Sequence, residues 1–187
     1  MGQASTRSSS LEQFLNLPEF KPALEFLEGR VIQKMSPLFP HSVIQGELVT
    51  VLNAFARPRR LGRACPELRA VFGGAAQVPD VSFYSADHLP RFRRGQPAPL
   101  FTTPPDLTIE ILSPGQTVGE LRRKIRHSLK HGSRLGWLIE PIGERVGVLR
   151  PGQKIETLKV GDQLTGEPVL PDFAIAIDTI FGWLEEV

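Results

Sequence analysis

The spacing of apolar residues along the chain predicts two main helices. Between residues 41 and 55 the apolar positions recur at helical spacing, and Pro58 ends the helix. The second helix begins with a capping box at Thr117–Glu120 and continues to about His131, before Gly132. Two shorter helices are predicted, one after Ser10 and one from about Asp178.

Alternation of apolar and polar residues predicts strands in most of the remaining chain. Residues 23–35 are predicted to form a hairpin whose turn contains Glu28-Gly29. This order of elements predicts an α/β or α+β fold with a mixed central sheet, flanked by helices and extended by N- and C-terminal strands. The other predicted strands cover residues 63–72, 78–84, 107–112, 135–139, 145–149 and 155–160.

The segment Pro-Pro-Asp-Leu-Thr-Ile-Glu-Ile-Leu-Ser-Pro, residues 104–114, is the most informative of these strands. Side chains alternate between the two faces of a strand, so the three aliphatics at 107, 109 and 111 share one face and Glu110 lies on the other. A buried carboxylate is unfavourable unless it is paired, hydrogen-bonded or bound to a cation. We therefore expect another part of the chain to supply a partner for Glu110.

Asp80, in Val-Pro-Asp-Val at residues 78–81, is the expected neighbour of Glu110. Two adjacent strands of one sheet would bring the two carboxylates together, where they repel each other unless a divalent cation lies between them. Oxygen ligands of this kind suit Mg²⁺ or Mn²⁺. Taken singly, Asp80 and Asp106 also fit turn-capping roles after proline, and Lys124 fits an exposed helix position.

The bulk composition is that of one globular domain. The chain has 187 residues, of which 41% are hydrophobic and 22% charged, with a net charge of +2. We expect residues 1–9 to form a disordered polar leader and residues 10–187 a single domain. The small net charge indicates no strong overall field toward nucleic acid, although basic residues cluster at 57–60, 91–94 and 122–124.

Several classes of protein are disfavoured by what the sequence lacks. It has no apolar run of transmembrane length, no apolar segment of a secretory signal, no Gly-rich phosphate loop and no His/Cys zinc cluster. Its single cysteine, Cys65, excludes an internal disulfide and favours a reducing compartment. We therefore expect a cytoplasmic protein that is neither a nucleotide kinase nor a zinc enzyme.

The order of these segments resembles the PD-(D/E)XK nuclease superfamily, in which Pro-Asp and then Glu-x-Lys lie on adjacent strands. More narrowly, the chain resembles the Uma-type family of restriction-endonuclease-like proteins from about Ala23 to Trp183. The resemblance implies a restriction-endonuclease-like core. It is carried by residues 24–30, 35–37, His41, 78–81, 104–114, Lys124, 137–141, 148–152 and 169–173.

The resemblance also implies a catalytic site. Asp80, Glu110 and the backbone carbonyl of Ile111 would bind Mg²⁺ or Mn²⁺, and Lys124 would orient a water or stabilise developing charge. His41 matches a family position whose role is open, and Asp106 is a second auxiliary candidate.

The chain departs from the usual pattern at three positions. Leu112 stands where the superfamily motif has its lysine, so the ammonium group must come from the following helix, where Lys124 fits. Ser128 stands where the family favours tyrosine, and Glu140 where it favours aspartate. Ser128 is expected to weaken the packing or hydrogen bonding beside the lysine.

The function expected from the residues and the resemblance together is metal-dependent endonucleolytic hydrolysis of nucleic acid, with DNA as the expected substrate. One alternative is an inactive nuclease-fold protein that binds nucleic acid or protein, and another is a small-molecule phosphodiesterase or other metal hydrolase using the same site. A homodimer is expected because the hairpin at 23–35 and the C-terminal segment carry more apolar surface than a small domain leaves exposed.

Overall fold

The computed structural model describes residues 6–7, 10–90, 94–96 and 99–185. Apart from Thr6–Arg7, which form a short strand, the predicted leader at 1–9 lies outside the described residues. The helices are α1 (Leu11–Leu15), α2 (Phe39–Ala56), α3 (Val118–Lys130) and α4 (Ile177–Gly182), with a 3₁₀ turn at Ala86–His88. None of the helices in these ranges is long and apolar enough to cross a membrane.

The strands form three sheets. A six-stranded sheet has the order β11-β10-β9-β8-β7-β4, a five-stranded sheet has the order β1-β3-β2-β6-β5, and β12 pairs with β13. The strands are β1 (Thr6–Arg7), β2 (Leu24–Leu27), β3 (Arg30–Gln33), β4 (Gly62–Pro66), β5 (Ala70–Phe72), β6 (Ala75–Gln77), β7 (Val81–Ser85), β8 (Leu107–Ile111), β9 (Leu135–Glu140), β10 (Arg145–Leu149), β11 (Glu156–Lys159), β12 (Gln163–Thr165) and β13 (Ala174–Ala176).

The six-stranded sheet is mixed, as predicted. β8 and β9 run parallel and are connected by α3, whereas the other neighbouring strands are antiparallel. A parallel pair requires a crossover connection, and the capping box at Thr117 begins the helix that supplies it. The prediction that the strand after Asp80 neighbours the strand of Glu110 is confirmed, because Val81 pairs with Ile109.

The two faces of this sheet are covered by different helices. Leu107, Ile109 and Ile111 pack with α2 and α4 in the main core. On the other face, Leu121 and Ile125 of α3 pack in a smaller cluster. Gly136 on β9 permits the close approach of α3, because a Cβ at this position would overlap the side chain of Ile125.

Of the predicted strands, one is divided in the structure and another begins later than predicted. The segment 63–72 becomes β4 and β5, which belong to different sheets, because the chain turns at Glu67, where φ is 46°. The segment 78–84 begins as a strand only at Val81, since Pro79 cannot donate a backbone hydrogen bond. Residues 78–80 thus carry the chain from β6 in one sheet to β7 in the other, and Asp80 lies at this crossing.

Much of the apolar surface on which the homodimer prediction rests is buried within the chain. Phe26 and Val31 of the hairpin and Phe181 of α4 are all buried. These side chains therefore do not support a dimer, because the five-stranded sheet and the core use them within the chain. Met35, the last residue of the predicted hairpin, is exposed, as are Leu38 and Phe39 after it.

Candidate active site

Asp80 and Glu110 are brought together by the pairing of β7 with β8. Val81 is opposite Ile109, and continuing this antiparallel register by one residue places Asp80 opposite Glu110. The backbone N–H of Ile111 donates to Asp80 Oδ2 at 2.7 Å. Both carboxylates are almost completely buried, Asp80 with 3% and Glu110 with 1% of its surface exposed.

The Asp80 carboxylate is fully satisfied by neighbouring groups. Lys34 Nζ donates to Oδ1 at 2.7 Å, and His41 Nε2 lies 3.2 Å from Oδ2. One turn along α2 from His41, Gln45 donates to the Asp80 backbone carbonyl at 2.8 Å. Burial alone would raise the pKa of Asp80, but the His41 hydrogen bond and the Lys34 charge hold it well below the ordinary value.

The Glu110 carboxylate is only half satisfied. Lys124 Nζ donates to Oε2 at 2.8 Å, whereas the buried Oε1 has no hydrogen-bond partner among the described residues. Burial raises the pKa of Glu110 above its ordinary value, and although Lys124 opposes this, the negative charges of Asp80 and Glu25 add to it. Glu110 therefore has one buried oxygen that is still able to accept a hydrogen bond.

Lys124 reaches this site from α3. Its Nζ lies 2.9 Å from Glu25 Oε2 as well as 2.8 Å from Glu110 Oε2, and its side chain is 11% exposed. Burial by itself would lower the pKa of Lys124, but the charges of Glu110 and Glu25 raise it, so the ammonium group stays charged. The structure thus supplies from the helix the ammonium group that Leu112 does not supply from the strand.

Ser128, one turn beyond Lys124, connects α3 to the five-stranded sheet. It is fully buried, and its Oγ donates to Gln77 Oε1 at 3.0 Å, while Gln77 Nε2 approaches the Lys124 carbonyl at 3.5 Å. Ser128 therefore makes a hydrogen bond beside the lysine, and this contact ties the helix to β6 directly behind Lys124.

Sequence reasoning assigned no role to Glu25 and Lys34, which the hairpin β2–β3 places at the site. Glu25 bonds Lys124 through Oε2 and accepts from the Val78 N–H through Oε1 at 2.7 Å. Lys34 bonds Asp80 and also donates to the Val78 carbonyl at 2.9 Å. Glu25 carries the same signal as Glu110, a carboxylate flanked by apolar strand residues, whereas a lysine at the end of a hairpin carries none.

The structure does not bring Asp106 to this site. Asp106 precedes β8 at the opposite end of the strand from Glu110, about 13 Å away at the usual rise per residue. It accepts hydrogen bonds from the Ser85 N–H at 2.8 Å and from His88 Nδ1 at 2.9 Å, and Arg134 lies at 3.0 Å. Its contacts are therefore those of a structural ion pair.

A cleft of about 350 Å³ between the hairpin and α3 leads to the two ammonium groups. Lys34 and Lys124 lie in its wall, and the carboxylates of Asp80 and Glu110 lie behind them. The cleft therefore gives a ligand from solvent access to the two ammonium groups that bind these carboxylates. Its charged lining residues are Glu25, Glu28, Arg30, Lys34, Glu120, Arg123 and Lys124.

Comparison with known proteins identifies the family and the fold of the chain. The family described as "Uma2: Putative restriction endonuclease" matches residues 11–178. The chain is also similar to a crystal structure described as a "putative nuclease belonging to DUF820" from Anabaena variabilis ATCC 29413. The two are 41% identical with a TM-score of 0.89, over 94% of this chain and 98% of that one. No curated protein matches the sequence. Both the sequence match and the shared fold extend over nearly the whole domain, and the chain belongs to the Uma2 family of putative restriction endonucleases.

Proposed function

We propose that this protein is a metal-dependent endonuclease that hydrolyses phosphodiester bonds of nucleic acid, with DNA as its substrate. The observation that carries the proposal is the unpartnered Oε1 of Glu110, which is buried opposite Asp80 and beside the Lys124 ammonium group. Membership of a family of nuclease-like proteins supports the same reaction class. The proposal adds the dependence on a metal ion, the choice of DNA as substrate and the roles of the individual residues.

The donor set fits a hard divalent cation. A desolvated carboxylate oxygen without a donor is a ligand that Mg²⁺ or Mn²⁺ accepts, and a second carboxylate faces it. Among the described residues, no group of three or more His, Cys, Asp or Glu forms a ready-made metal cage. Asp80, Glu110 and the Ile111 carbonyl would hold the ion, as the family resemblance implies, and Lys34 would give up its contact with Asp80 Oδ1.

The cation would supply Lewis-acid polarisation of the scissile phosphodiester. The chain's own side chains and backbone groups would supply the other interactions of the site. Lys124, held between Glu110 and Glu25, presents a fixed positive charge to the cleft, where it stabilises negative charge that develops on the phosphate oxygens. His41 holds the Asp80 carboxylate in place from α2, and the Ile111 N–H holds it from β8.

A cleavage assay with matched variants tests this proposal. Purified protein is incubated with supercoiled plasmid, linear duplex, single-stranded DNA and RNA, in Mg²⁺, Mn²⁺ or EDTA. We expect cleavage that requires the metal and that is lost in Glu110→Gln, which keeps the side-chain shape and removes the charge. Asp106→Asn is the matched control, since this equally buried carboxylate lies outside the site. Cleavage that persists in EDTA or in Glu110→Gln would refute the proposed site.

A second function is favoured by one observation. The ammonium groups of Lys34 and Lys124 already pair with the buried carboxylates of Asp80, Glu25 and Glu110, so these charges are partly compensated by the chain itself. This arrangement fits an inactive nuclease-fold protein that binds nucleic acid. Calorimetric titration with Mn²⁺ separates the two: binding that disappears in Glu110→Gln supports the enzyme, and no binding in the wild-type protein supports the binding module.

A further inference from the structure

A row of basic side chains lies on the exposed side of α3. Arg123, Arg126 and Lys130 are spaced three and four residues apart, so they share one face of the helix, and all three are exposed. From the first to the last, the row extends about 10 Å along the helix axis at the usual rise per residue. We call these three residues, together with Arg150, the α3 basic strip.

The outer half of the strip borders a cavity of about 270 Å³ between α3 and the loop after β10. Arg126, Lys130 and Arg150 line it, over apolar residues that include Leu129 and Ile155. The lining contains no aspartate or glutamate. Such a cavity favours an anion, because three cationic side chains line it and no carboxylate does.

Two of these cations have no carboxylate partner within the described part of the chain. Arg150 is paired with Glu156 at 2.9 Å, whereas no Asp or Glu of the described residues lies within ion-pair distance of Arg126 or Lys130. The cleft at the other end of the strip differs, since Glu25, Glu28 and Glu120 line it together with its basic residues. Positive charge is therefore uncompensated at the outer end of α3 and balanced in the cleft.

The strip is continuous with the candidate active site. Arg123 lines the cleft next to Lys124, and Arg126, three residues further along, lines the outer cavity. A chain molecule that enters the cleft and continues over α3 thus meets successive positive charges. The strip's length of about 10 Å corresponds to about three nucleotides of one strand at 3.4 Å per nucleotide.

We propose that the α3 basic strip binds the phosphate backbone of a nucleic-acid strand outside the cleft and leads that strand toward Lys124. A polyanion with regularly spaced charges matches both the spacing and the sign of the strip. The proposal rests on the proposed function for the identity of the substrate. It deepens that function by assigning a contact surface to residues that take no part in the chemistry.

Fluorescence anisotropy with the full chain tests the proposal. The probes are a fluorescein-labelled 24-nucleotide single strand and the corresponding duplex, in EDTA so that metal-dependent cleavage does not interfere. The test variant is Arg126→Gln/Lys130→Gln, and the control is Arg57→Gln/Arg63→Gln. The control removes the same charge from exposed residues at the end of α2 and on β4, outside both cavities.

The wild-type protein should bind at least one probe, and the test variant should lose about tenfold in affinity at low salt. Each lost phosphate contact lowers the slope of log K against log salt by about 0.7 for a single strand and about 0.9 for a duplex, so we expect a decrease of about 1.4 to 1.8. The control should stay within about twofold of wild type with an unchanged slope. Thermal melts of both variants check that the fold is intact.

Three results would overturn the proposal: an unchanged slope in the test variant, an equal loss in the control, or no binding of either probe by the wild-type protein. The cleavage assay separates this outcome from failure of the proposed function. If the test variant binds like the wild type while the wild type cleaves, the strip is refuted and the nuclease stands. If binding depends on the strip but no metal supports cleavage, the strip stands and the nuclease is refuted.

Discussion

Asp106 immediately precedes β8 and Glu110 lies within it, four residues further along, yet the protein satisfies the two buried carboxylates to different degrees. Each has 1% of its surface exposed. The oxygens of Asp106 receive a backbone N–H, a histidine and an arginine, whereas Glu110 has a single lysine and one oxygen without a donor. The polar network is complete at one end of the strand and incomplete at the other.

The two pKa values shift in opposite directions for this reason. Burial favours the neutral form of both acids, but at Asp106 the Ser85 N–H, His88 and Arg134 outweigh it and lower the pKa. At Glu110 burial prevails and raises the pKa, with Asp80 and Glu25 adding to the effect. A buried carboxylate alone does not indicate a functional site, because the protein can satisfy it fully. An unsatisfied one beside a second carboxylate does indicate such a site.

The largest expected effect separates the two carboxylates by activity. Glu110→Gln should lower metal-dependent cleavage at least about 100-fold, since it removes a charged ligand and leaves the shape. Asp106→Asn should leave the rate within about twofold, because its contacts end at Ser85, His88 and Arg134. Initial rates on labelled duplex DNA in Mn²⁺ measure both. A comparable loss in the two variants would mean that the carboxylates do not differ in function.

The order of the two variants should reverse when their free energies of unfolding are compared. Asp106→Asn removes a charge that three donors surround, and the amide would point a donor at Arg134, so we expect a loss of about 1–3 kcal/mol. Glu110→Gln should leave metal-free stability unchanged or slightly raised, because it replaces a charge that burial disfavours. Urea denaturation in EDTA gives both free energies of unfolding. A larger loss in Glu110→Gln than in Asp106→Asn would contradict the comparison.

The contributions of Asp106 and Glu110 to the pH dependence of metal-free stability should have opposite signs. The folded pKa of Asp106 is lowered, so its contribution is present above about 3.8 and is lost as the pH falls through the folded pKa. The folded pKa of Glu110 is raised, so the folded state binds the extra proton, and stability decreases as the pH rises from about 4.5 toward that raised value.

Denaturation curves between pH 3 and pH 8 test this difference, with each variant compared to the wild type. Glu110→Gln should flatten the decrease above pH 4.5, and Asp106→Asn should flatten the loss at acidic pH. Identical pH profiles for wild type and both variants would show that neither pKa is shifted by folding.

Local signals in the sequence predict a large part of this arrangement. Alternation over residues 107–111 and the capping box at Thr117 identify β8 and α3, and these elements carry Glu110 and Lys124. Chain order and the expected sheet then place Asp80 beside Glu110. These features depend on periodicity and capping, which a short window of sequence contains.

The remaining features of the fold and the site depend on long-range contacts, which no short stretch of sequence contains. Residues 78–80 pass from one sheet to the other, so the predicted strand 78–84 begins late. The hairpin β2–β3 is visible in the sequence, but its packing against Val78, which brings Lys34 to Asp80, joins residues 46 positions apart. Likewise, Asp106 and Glu110 look equivalent as strand carboxylates, and only the positions of His88 and Arg134 make one of them structural.

The smallest expected effect concerns the histidine that each aspartate holds. His41 contacts Asp80 through Nε2 and His88 contacts Asp106 through Nδ1. Glutamine at 41 and asparagine at 88 each place an amide N–H where the ring nitrogen stood. Each replacement therefore keeps a hydrogen-bond donor and removes the possibility of a positive charge.

Neither replacement should change the free energy of unfolding by more than about 1 kcal/mol. His88 is 53% exposed at its side chain, where solvent screens the pair, and its neighbours at Asp106 remain. His41 is buried, but its replacement also removes an Nδ1 that has no partner among the described residues. Activity should separate the two: His41→Gln should lower the cleavage rate several-fold by loosening Asp80, and His88→Asn should leave it unchanged. If His88→Asn slows cleavage as much as His41→Gln does, the network around Asp106 takes part in function, and the two ends of β8 are not the opposites that their hydrogen bonds indicate.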